Sequence, residues 1–358
     1  MQALHIHAGP RALGHIRQQG LAPADVRLVP AAAGGPKGLI LTHLDRHLFG
    51  RWLPQADESH RLDLVGASIG AWRMAAALMP DPAKAFDHLA QVYISQRYDP
   101  EPGRKRPSPQ RVSSDFAKAL DSFFTASLAG MLAHPRWRLH MVTSRGLGIL
   151  RRAGPMGTLA GFAGLVLGNA VSRRAVGSWL ERTVFSVAGQ PPFKLDDQPT
   201  RVIPLSEQNF LPALQASCSI PFVLDPVHDI PGCPAGAHWD GGIVDYHFHW
   251  PFASAMSQGV VLYPHFQQQV IPGWLDKAFK SRHRATPALD NMVLLAPNPA
   301  WVATLPGGKL PDRNDFKTLN NDTRITHWRQ AVSECEKLAD EWQGWLDQGC
   351  PADRVKPL

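Results

Sequence analysis

The stretch LDLVGASIGAWRMAAAL, residues 62–78, determines the fold class of this chain. Its first four residues predict a buried strand, and the next five form a turn in which Gly66 and Gly70 flank Ser68. The remainder is rich in alanine and contains no helix breaker before Pro80, so it predicts a helix. The stretch therefore predicts a strand, a tight glycine turn and a helix in direct succession.

The same succession occurs earlier in the chain. Residues 26–33 predict a strand, GGPKG at residues 34–38 predicts a turn, and residues 39–49 predict a helix. Parallel strands need crossover connections, and strand-turn-helix units provide them. We therefore expect a three-layer α/β/α fold with a mostly parallel central sheet. Further strands are predicted at residues 138–143, 183–187, 201–205, 259–263 and 292–296, and a C-terminal helix at about residues 323–348.

Composition limits the class of protein. The chain has 358 residues, of which 44% are hydrophobic and 19% charged, so it predicts a globular protein with a large core. Its formal net charge of +7 favours anionic partners, and it contains no recognisable nucleic-acid-binding motif. The four cysteines lack the spacing of a zinc site or a disulfide scaffold, and the first 20 residues lack a signal-peptide pattern. We expect a cytoplasmic protein, with export by another route left open.

Three short motifs carry candidate chemistry. GASIG, residues 66–70, matches the G-x-S-x-G nucleophile elbow, which makes Ser68 a candidate nucleophile. The alternative is a tight turn in which Ser68 only caps the helix. The loop GGPKG presents backbone N–H groups next to a helix start, where they can bind a phosphate or an oxyanion. It matches neither a Walker loop nor a dinucleotide-binding loop, and a plain glycine turn is its alternative.

The third motif is Asp240-Gly241-Gly242. Asp240 is a candidate general base that takes the proton of Ser68, with the two glycines allowing a close approach. An ordinary Asp-Gly turn is the alternative. Histidines at 238, 247, 249 and 265 leave a conventional Ser-Asp-His triad open, while a metal pair at His247 and His249 lacks further ligands.

In this order, the motifs resemble those of the patatin-like phospholipase family. The resemblance implies an oxyanion loop at Gly34, Gly35, Lys37 and Gly38, and a Ser68–Asp240 dyad without histidine. ASCSIP, residues 216–221, is similar to the stretch that precedes the aspartate in that family. The resemblance covers about residues 26–265; it departs at Pro36 and Lys37, and residues 93–182 match nothing in it. It implies a lipid acyl hydrolase of phospholipase A or lysophospholipase type, without cofactor or metal, acting on a phospholipid or another lipid ester.

The expected organisation is a patatin-like catalytic domain at residues 1–310 and a C-terminal helical extension at 311–358. An apolar helical insertion is expected around residues 100–182. Within it, residues 153–172 carry no charge, which leaves three alternatives in order: a buried or cap helix, an interfacial segment, and a spanning helix.

The run WLDKAFKSRHR, residues 274–284, is either a contact with an anionic membrane surface or a solvated basic face. Two other functions stay open: a non-catalytic lipid-binding or membrane-associated protein of the same fold, and a soluble short-chain esterase or thioesterase.

Overall fold

The computed structural model describes residues 1–358 except 100, 105–106, 153, 188, 194 and 256–258, and omits the side chains of 254 and 255. The strands are β1 Leu4–Ala8, β2 Val26–Ala31, β3 Leu62–Gly66, β4 Trp137–Gly146, β5 Leu180–Ser186, β6 Thr200–Pro204, β7 Val227–His228, β8 Ala237–Asp240, β9 Val260–Pro264, β10 Met292–Pro297 and β11 Val355–Pro357. The α-helices are α1 Pro10–Gln19, α2 Thr42–His47, α3 Ile69–Ala76, α4 Pro82–Ser95, α5 Pro109–Phe124, α6 Leu128–Leu132, α7 Pro155–Val171, α8 Glu207–Cys218, α9 Phe252–Ala255, α10 Pro299–Val302, α11 Asp315–Thr318, α12 Asn321–Glu334 and α13 Glu336–Asp347.

These strands form one sheet in the order β11-β1-β10-β9-β2-β3-β4-β5-β6, with β8 paired to β4 and β7 to β8. Neighbouring strands from β10 through β9, β2 and β3 to β4 are parallel. Their side chains are almost all buried, as expected of strands covered by helices on both faces. The predicted three-layer α/β/α fold with a mostly parallel central sheet is confirmed.

Strand β4 is the longest in the sheet and connects its two halves. Its first part pairs with β3, its second part pairs with β5, and beyond the end of β3 it pairs antiparallel with β8. In this register Met141 lies opposite Gly66, and Thr143 lies opposite Asp240. Strand β8 therefore continues along the same side of β4 where β3 stops.

Two helix predictions were wrong in detail. The helix expected at residues 39–49 consists of a 3₁₀ segment at Gly35–Leu41, then α2, then a π-turn at Leu48–Trp52. The side chain of Thr42 donates to the Leu39 carbonyl at 2.7 Å, where the 3₁₀ segment meets α2. The C-terminal helix expected at about residues 323–348 is divided into two helices, α12 and α13. Cys335 lies between them with ψ −8°, where the chain changes direction.

The two ranges that were expected to be helical, the insertion and the C-terminal extension, also contain strands. Residues 100–182 include α5, α6 and α7, but also β4 at the centre of the sheet. Residues 311–358 include α12 and α13, and also β11, which pairs with β1. The predicted basic loop at residues 99–111 falls partly outside the described residues, and α5 begins at Pro109 rather than near residue 114.

Candidate active site

Ser68 lies on a sharp turn between β3 and α3. Its backbone has φ 56° and ψ −131°, a conformation that residues other than glycine rarely adopt. The turn needs small neighbours, because a Cβ at Gly70 would collide with the Ala31 carbonyl and one at Gly66 would lie 2.5 Å from the Ala71 nitrogen. The structure therefore has the backbone geometry that the G-x-S-x-G motif predicts.

The turn is anchored from α8. The N–H of Ser68 donates to Ser217 Oγ at 2.9 Å, and the Ser217 hydroxyl donates to the Val142 carbonyl at 2.7 Å. Ser217 belongs to the predicted ASCSIP stretch, but sequence alone gave it no role. It links the candidate nucleophile to β4, the strand that also holds β8.

The side chains of Ser68 and Asp240 are in direct contact although 172 positions separate them. Ser68 Oγ donates to Asp240 Oδ2 at 2.8 Å, and both residues are buried. The other carboxylate oxygen accepts the Gly242 N–H at 2.7 Å. A Cβ at Gly241 would collide with the Val142 carbonyl, so the chain requires glycine beside the acid.

Burial raises the pKa of Asp240 above the ordinary aspartate value. The charge of Arg313, the Ser68 hydroxyl and the Gly242 N–H act in the opposite direction by stabilising the carboxylate, without reversing the shift. A carboxylate with a raised pKa is a stronger base than an exposed one. The pair therefore has the contacts needed for proton transfer from Ser68 to Asp240.

The GGPKG loop lies beside this pair. Gly34 and Asp240 both line one cavity, and Gly38 packs on α3, where its Cβ position would be 3.1 Å from the Ile69 side chain. In a 3₁₀ segment that begins at Gly35, the first internal hydrogen bond uses the N–H of Lys37, and Pro36 has no N–H. The backbone donors left for a ligand are therefore those of Gly34 and Gly35.

Gly35 has φ +56°, a left-handed conformation that favours glycine. Its surroundings are also tight, because a Cβ there would lie 2.9 Å from Arg313 Nε and 3.4 Å from the Tyr93 hydroxyl. Arg313 comes from the C-terminal quarter of the chain, which the predicted motifs do not cover. Only the three-dimensional structure reveals its position beside the loop.

The four histidines considered for a triad form hydrogen bonds with residues other than Ser68 and Asp240. His238 Nδ1 is 3.0 Å from Thr143 Oγ1, His249 Nε2 is 2.8 Å from Thr286 Oγ1, and His265 contacts the backbone of Gln267. His247 Nδ1 accepts the Ile271 N–H at 3.0 Å. Burial lowers the pKa of His238 to about 4 and that of His265 to about 3, so both are neutral at pH 7. In the described part of the chain, no three histidine, cysteine or acidic side chains are grouped to hold a metal ion.

A large cavity of about 860 Å³ opens at Ser68. Apolar side chains of α3, α5 and the loop after α8 line it together with Ser68, and polar side chains that include Asp99, Lys317 and Asn320 also line it. Cys218 also lines it, and burial raises the pKa of this thiol well above its ordinary value. The apolar wall residues include Ile69, Trp72, Val112, Phe116, Ile220 and Leu224.

A smaller cavity of about 310 Å³ adjoins the first, since Ile220 and Arg313 line both. Asp240, Lys37 and Lys277 also line the smaller cavity. Lys277 belongs to the basic run at residues 274–284, which sequence alone assigned to a membrane contact or a solvated face. The structure instead directs Lys277 into the cavity beside the Ser68–Asp240 pair.

Helix α7 has an exposed face without polar side chains. Phe162 and Leu165 on its inner face are buried, and the Phe162 ring packs on Trp239 at 5.4 Å between centroids. Its outer face exposes Met156 (87%), Leu159 (64%), Leu167 (69%) and Val171 (87%). Residue 153, the start of the predicted apolar segment, is outside the described residues. Among the described residues, no helix has both the length and the hydropathy needed to cross a bilayer.

The similarity of this chain to known proteins is one of structure. No protein-family model matches it, and no curated protein matches it. Among solved structures it is similar to human GIVD cytosolic phospholipase A2, with a TM-score of 0.37 and 10% sequence identity. The alignment covers 96% of this chain and 63% of that protein's chain, so this chain spans less than two thirds of the phospholipase.

Proposed function

We propose that this protein is a serine hydrolase that cleaves a lipid acyl ester through a Ser68–Asp240 dyad. The observation that carries the proposal is the 2.8 Å hydrogen bond from Ser68 Oγ to Asp240 on a strained turn. Backbone strain at a buried, hydrogen-bonded serine is typical of an activated nucleophile. A serine that only capped a helix would accept a hydrogen bond from the helix backbone, and Ser68 makes no such contact.

The reaction proceeds in two acyl-transfer steps. Asp240 takes the Ser68 proton while Oγ forms a bond to the acyl carbonyl carbon, and the N–H groups of Gly34 and Gly35 stabilise the resulting oxyanion. The C–O bond to the alcohol then breaks, and the alcohol leaves with the proton held by Asp240. Water repeats the sequence on the acyl-serine, with Asp240 as base, and releases the fatty acid.

The apolar cavity supports a long acyl chain as the substrate group. A volume of about 860 Å³ is near the upper end of ordinary ligand pockets. Aromatic and aliphatic walls next to Ser68 favour burial of methylene groups, each worth about 0.8 kcal/mol. Turnover is therefore expected to increase with the length of the acyl chain.

The test is hydrolysis of p-nitrophenyl esters of graded chain length by the wild type, Ser68→Ala and Asp240→Asn. We expect wild-type kcat/KM to rise with chain length, and both variants to lose on the order of 10³-fold or more. Ser114→Ala is the matched control, because Ser114 is an exposed serine of α5. Wild-type turnover by Ser68→Ala would refute the dyad.

A fluorophosphonate probe separates the alternatives. Covalent labelling that Ser68→Ala abolishes supports a hydrolase, whereas a folded wild type that binds lipid but takes no label supports a non-catalytic lipid-binding protein. Activity restricted to short soluble esters or thioesters supports the third alternative.

We also propose that the exposed face of α7 rests on an anionic membrane surface, with the protein peripheral to the membrane. Cations lie at both ends of this apolar face, with Arg151 and Arg152 before α7 and Arg174 after it, all exposed. Apolar side chains flanked by cations are typical of interfacial helices. Phe222, which is exposed and lines the large cavity, packs 5.9 Å from the Phe162 ring and thereby connects α7 to the cavity entrance.

A further inference from the structure

The smaller cavity brings three cations to the candidate active site from three separate parts of the chain. Lys37 comes from the GGPKG loop, Lys277 from the 3₁₀ segment Trp274–Ala278, and Arg313 from the residues before α11. None of the three forms an ion pair within the ranges that the structure describes. Like charges repel, and the two carboxylates that line the same cavity, Asp240 and Asp312, are fewer than the three cations, so a bound anion would stabilise the cluster further.

The cations are held by aromatic rings and by close packing. Lys277 Nζ lies 4.0 Å from the centroid of the Tyr246 ring, and Lys37 Nζ lies 5.6 Å from that of Phe266. Arg313 packs against Gly35, one of the two candidate oxyanion donors. Aromatic faces hold a cation without neutralising its charge, so all three remain available to a ligand.

Two carboxylates, Asp240 and Asp312, also line this cavity and offset part of the charge of the three cations, while their hydrogen bonds come from neutral donors. Asp240 accepts the Ser68 hydroxyl and the Gly242 N–H, and Asp312 accepts the Asn314 N–H at 2.6 Å. Lys277 is exposed at the cavity mouth, yet partial desolvation and the charges of Lys37 and Arg313 lower its pKa to about 7. Desolvation is the largest cause of this shift, the two neighbouring cations add to it, and the charges of Asp240 and Asp312 act against it.

We propose that this cavity is an anion subsite in which Lys37, Lys277 and Arg313 bind a terminal phosphate monoester on the alcohol side of the scissile ester. The inference rests on the proposed function, because it takes Ser68 as the residue that binds the acyl group. The two adjoining cavities then divide the substrate, with the acyl chain in the apolar one and the phosphate in the cationic one. Three cations suit a dianionic monoester better than a zwitterionic diester, whose ammonium they would repel.

The test compares three substrates with the same acyl chain: lysophosphatidic acid, lysophosphatidylcholine and monoacylglycerol. We expect the highest kcat/KM for lysophosphatidic acid. Lys277→Ala and Arg313→Ala should each reduce its advantage over monoacylglycerol by about tenfold or more, because each removes a charge-assisted contact. Lys277→Arg should retain the advantage, and Lys280→Ala is the matched control, since Lys280 is exposed and lies outside the cavity.

Inorganic phosphate distinguishes a phosphate on the substrate from a free one. We expect it to raise the KM for lysophosphatidic acid. An effect of inorganic phosphate on monoacylglycerol hydrolysis alone would assign the cavity to a free anion and overturn the proposal, as would equal or better hydrolysis of either other substrate. Ser68-dependent turnover of p-nitrophenyl esters is scored separately, so the hydrolase function can stand while the anion subsite fails.

Discussion

At Ser68 the backbone has φ 56° and ψ −131°, which costs a residue with a side chain about 1–3 kcal/mol. Ser68→Gly and Ser68→Ala both remove the hydroxyl, but only glycine relieves this strain. We expect Ser68→Gly to exceed Ser68→Ala by about 1 kcal/mol in the free energy of unfolding, measured with urea. Ser114, inside α5, is the matched control, and there the glycine variant should be less stable than the alanine variant by about 1 kcal/mol. Equal stability of the two Ser68 variants would contradict the strain.

Lys277 makes the proposed phosphate preference depend on pH. Its pKa of about 7 means that the free site loses this cation as the pH rises from 7 to 9. The charged groups around it are Lys37, Arg313, Asp240 and Asp312. We expect the ratio of kcat/KM for lysophosphatidic acid to that for monoacylglycerol to fall over this range. Ionisation of Asp240 affects both substrates alike and cancels in the ratio.

The same ratio in Lys277→Met provides the control for this pH dependence. Without a titrating amine at 277, the ratio should be lower at pH 7 and nearly flat to pH 9. A wild-type ratio that does not change between pH 7 and 9 would remove Lys277 from the proposed subsite.

Sequence analysis predicted the residues whose constraints are local. Ser68, Gly66 and Gly70 follow from a strand that must turn directly into a helix, and Asp240 lies beside glycines that a close approach requires. Arg313 could not be predicted, because nothing in its neighbouring residues indicates a site, and Lys277 was noted only as part of a basic run and not as a cavity residue. Their position depends on how segments far apart in the chain pack together.

At the scale of elements, α7 provides the test of membrane contact. Leu159→Glu and Leu167→Glu place a charge on its exposed apolar face, where we expect each to weaken binding to phosphatidylserine-containing vesicles by about tenfold, measured by vesicle sedimentation. Ala129→Glu is the matched control, because Ala129 is an exposed apolar residue of a different helix, α6. A variant that carries both Leu159→Glu and Leu167→Glu is also measured. If it binds vesicles as tightly as the wild type and its circular dichroism spectrum is unchanged, α7 is not the membrane contact.

Elements with strong patterns were predicted well, and elements that depend on tertiary contacts were not. All seven strands predicted from apolar runs are present, within three residues at each end. Strands β1, with the sequence LHIHA, and β8, with AHWD, were missed, because histidines interrupt their apolar pattern. Strand β8 forms where β4 extends past β3 and offers free backbone groups. The sequence of residues 237–240 alone does not indicate that such a partner is present.

At the scale of the whole molecule, a buried ion pair couples the two loops of the site. Arg73 of α3 donates to both carboxylate oxygens of Asp45 of α2, at 2.6 and 2.8 Å. Helix α3 follows Ser68, and α2 follows the GGPKG loop, so the ion pair helps to fix the distance between the candidate nucleophile and the candidate oxyanion loop. The ion pair thus helps to keep the turn at Ser68 and the GGPKG loop in a fixed relative position, although each belongs to a different strand-turn-helix unit.

The pairing of β4 with both β3 and β8 has a consequence for the order of events during folding. The helices and the pairing of β2 with β3 join residues that are closer in the chain, whereas the hydrogen bond between Ser68 and Asp240 joins residues 172 positions apart. Long-range pairings of this kind form slowly. After dilution from denaturant, the helical circular dichroism signal should therefore recover before reactivity towards a fluorophosphonate. A late, separate phase of probe labelling would report the rate at which β8 pairs with β4 in the native register.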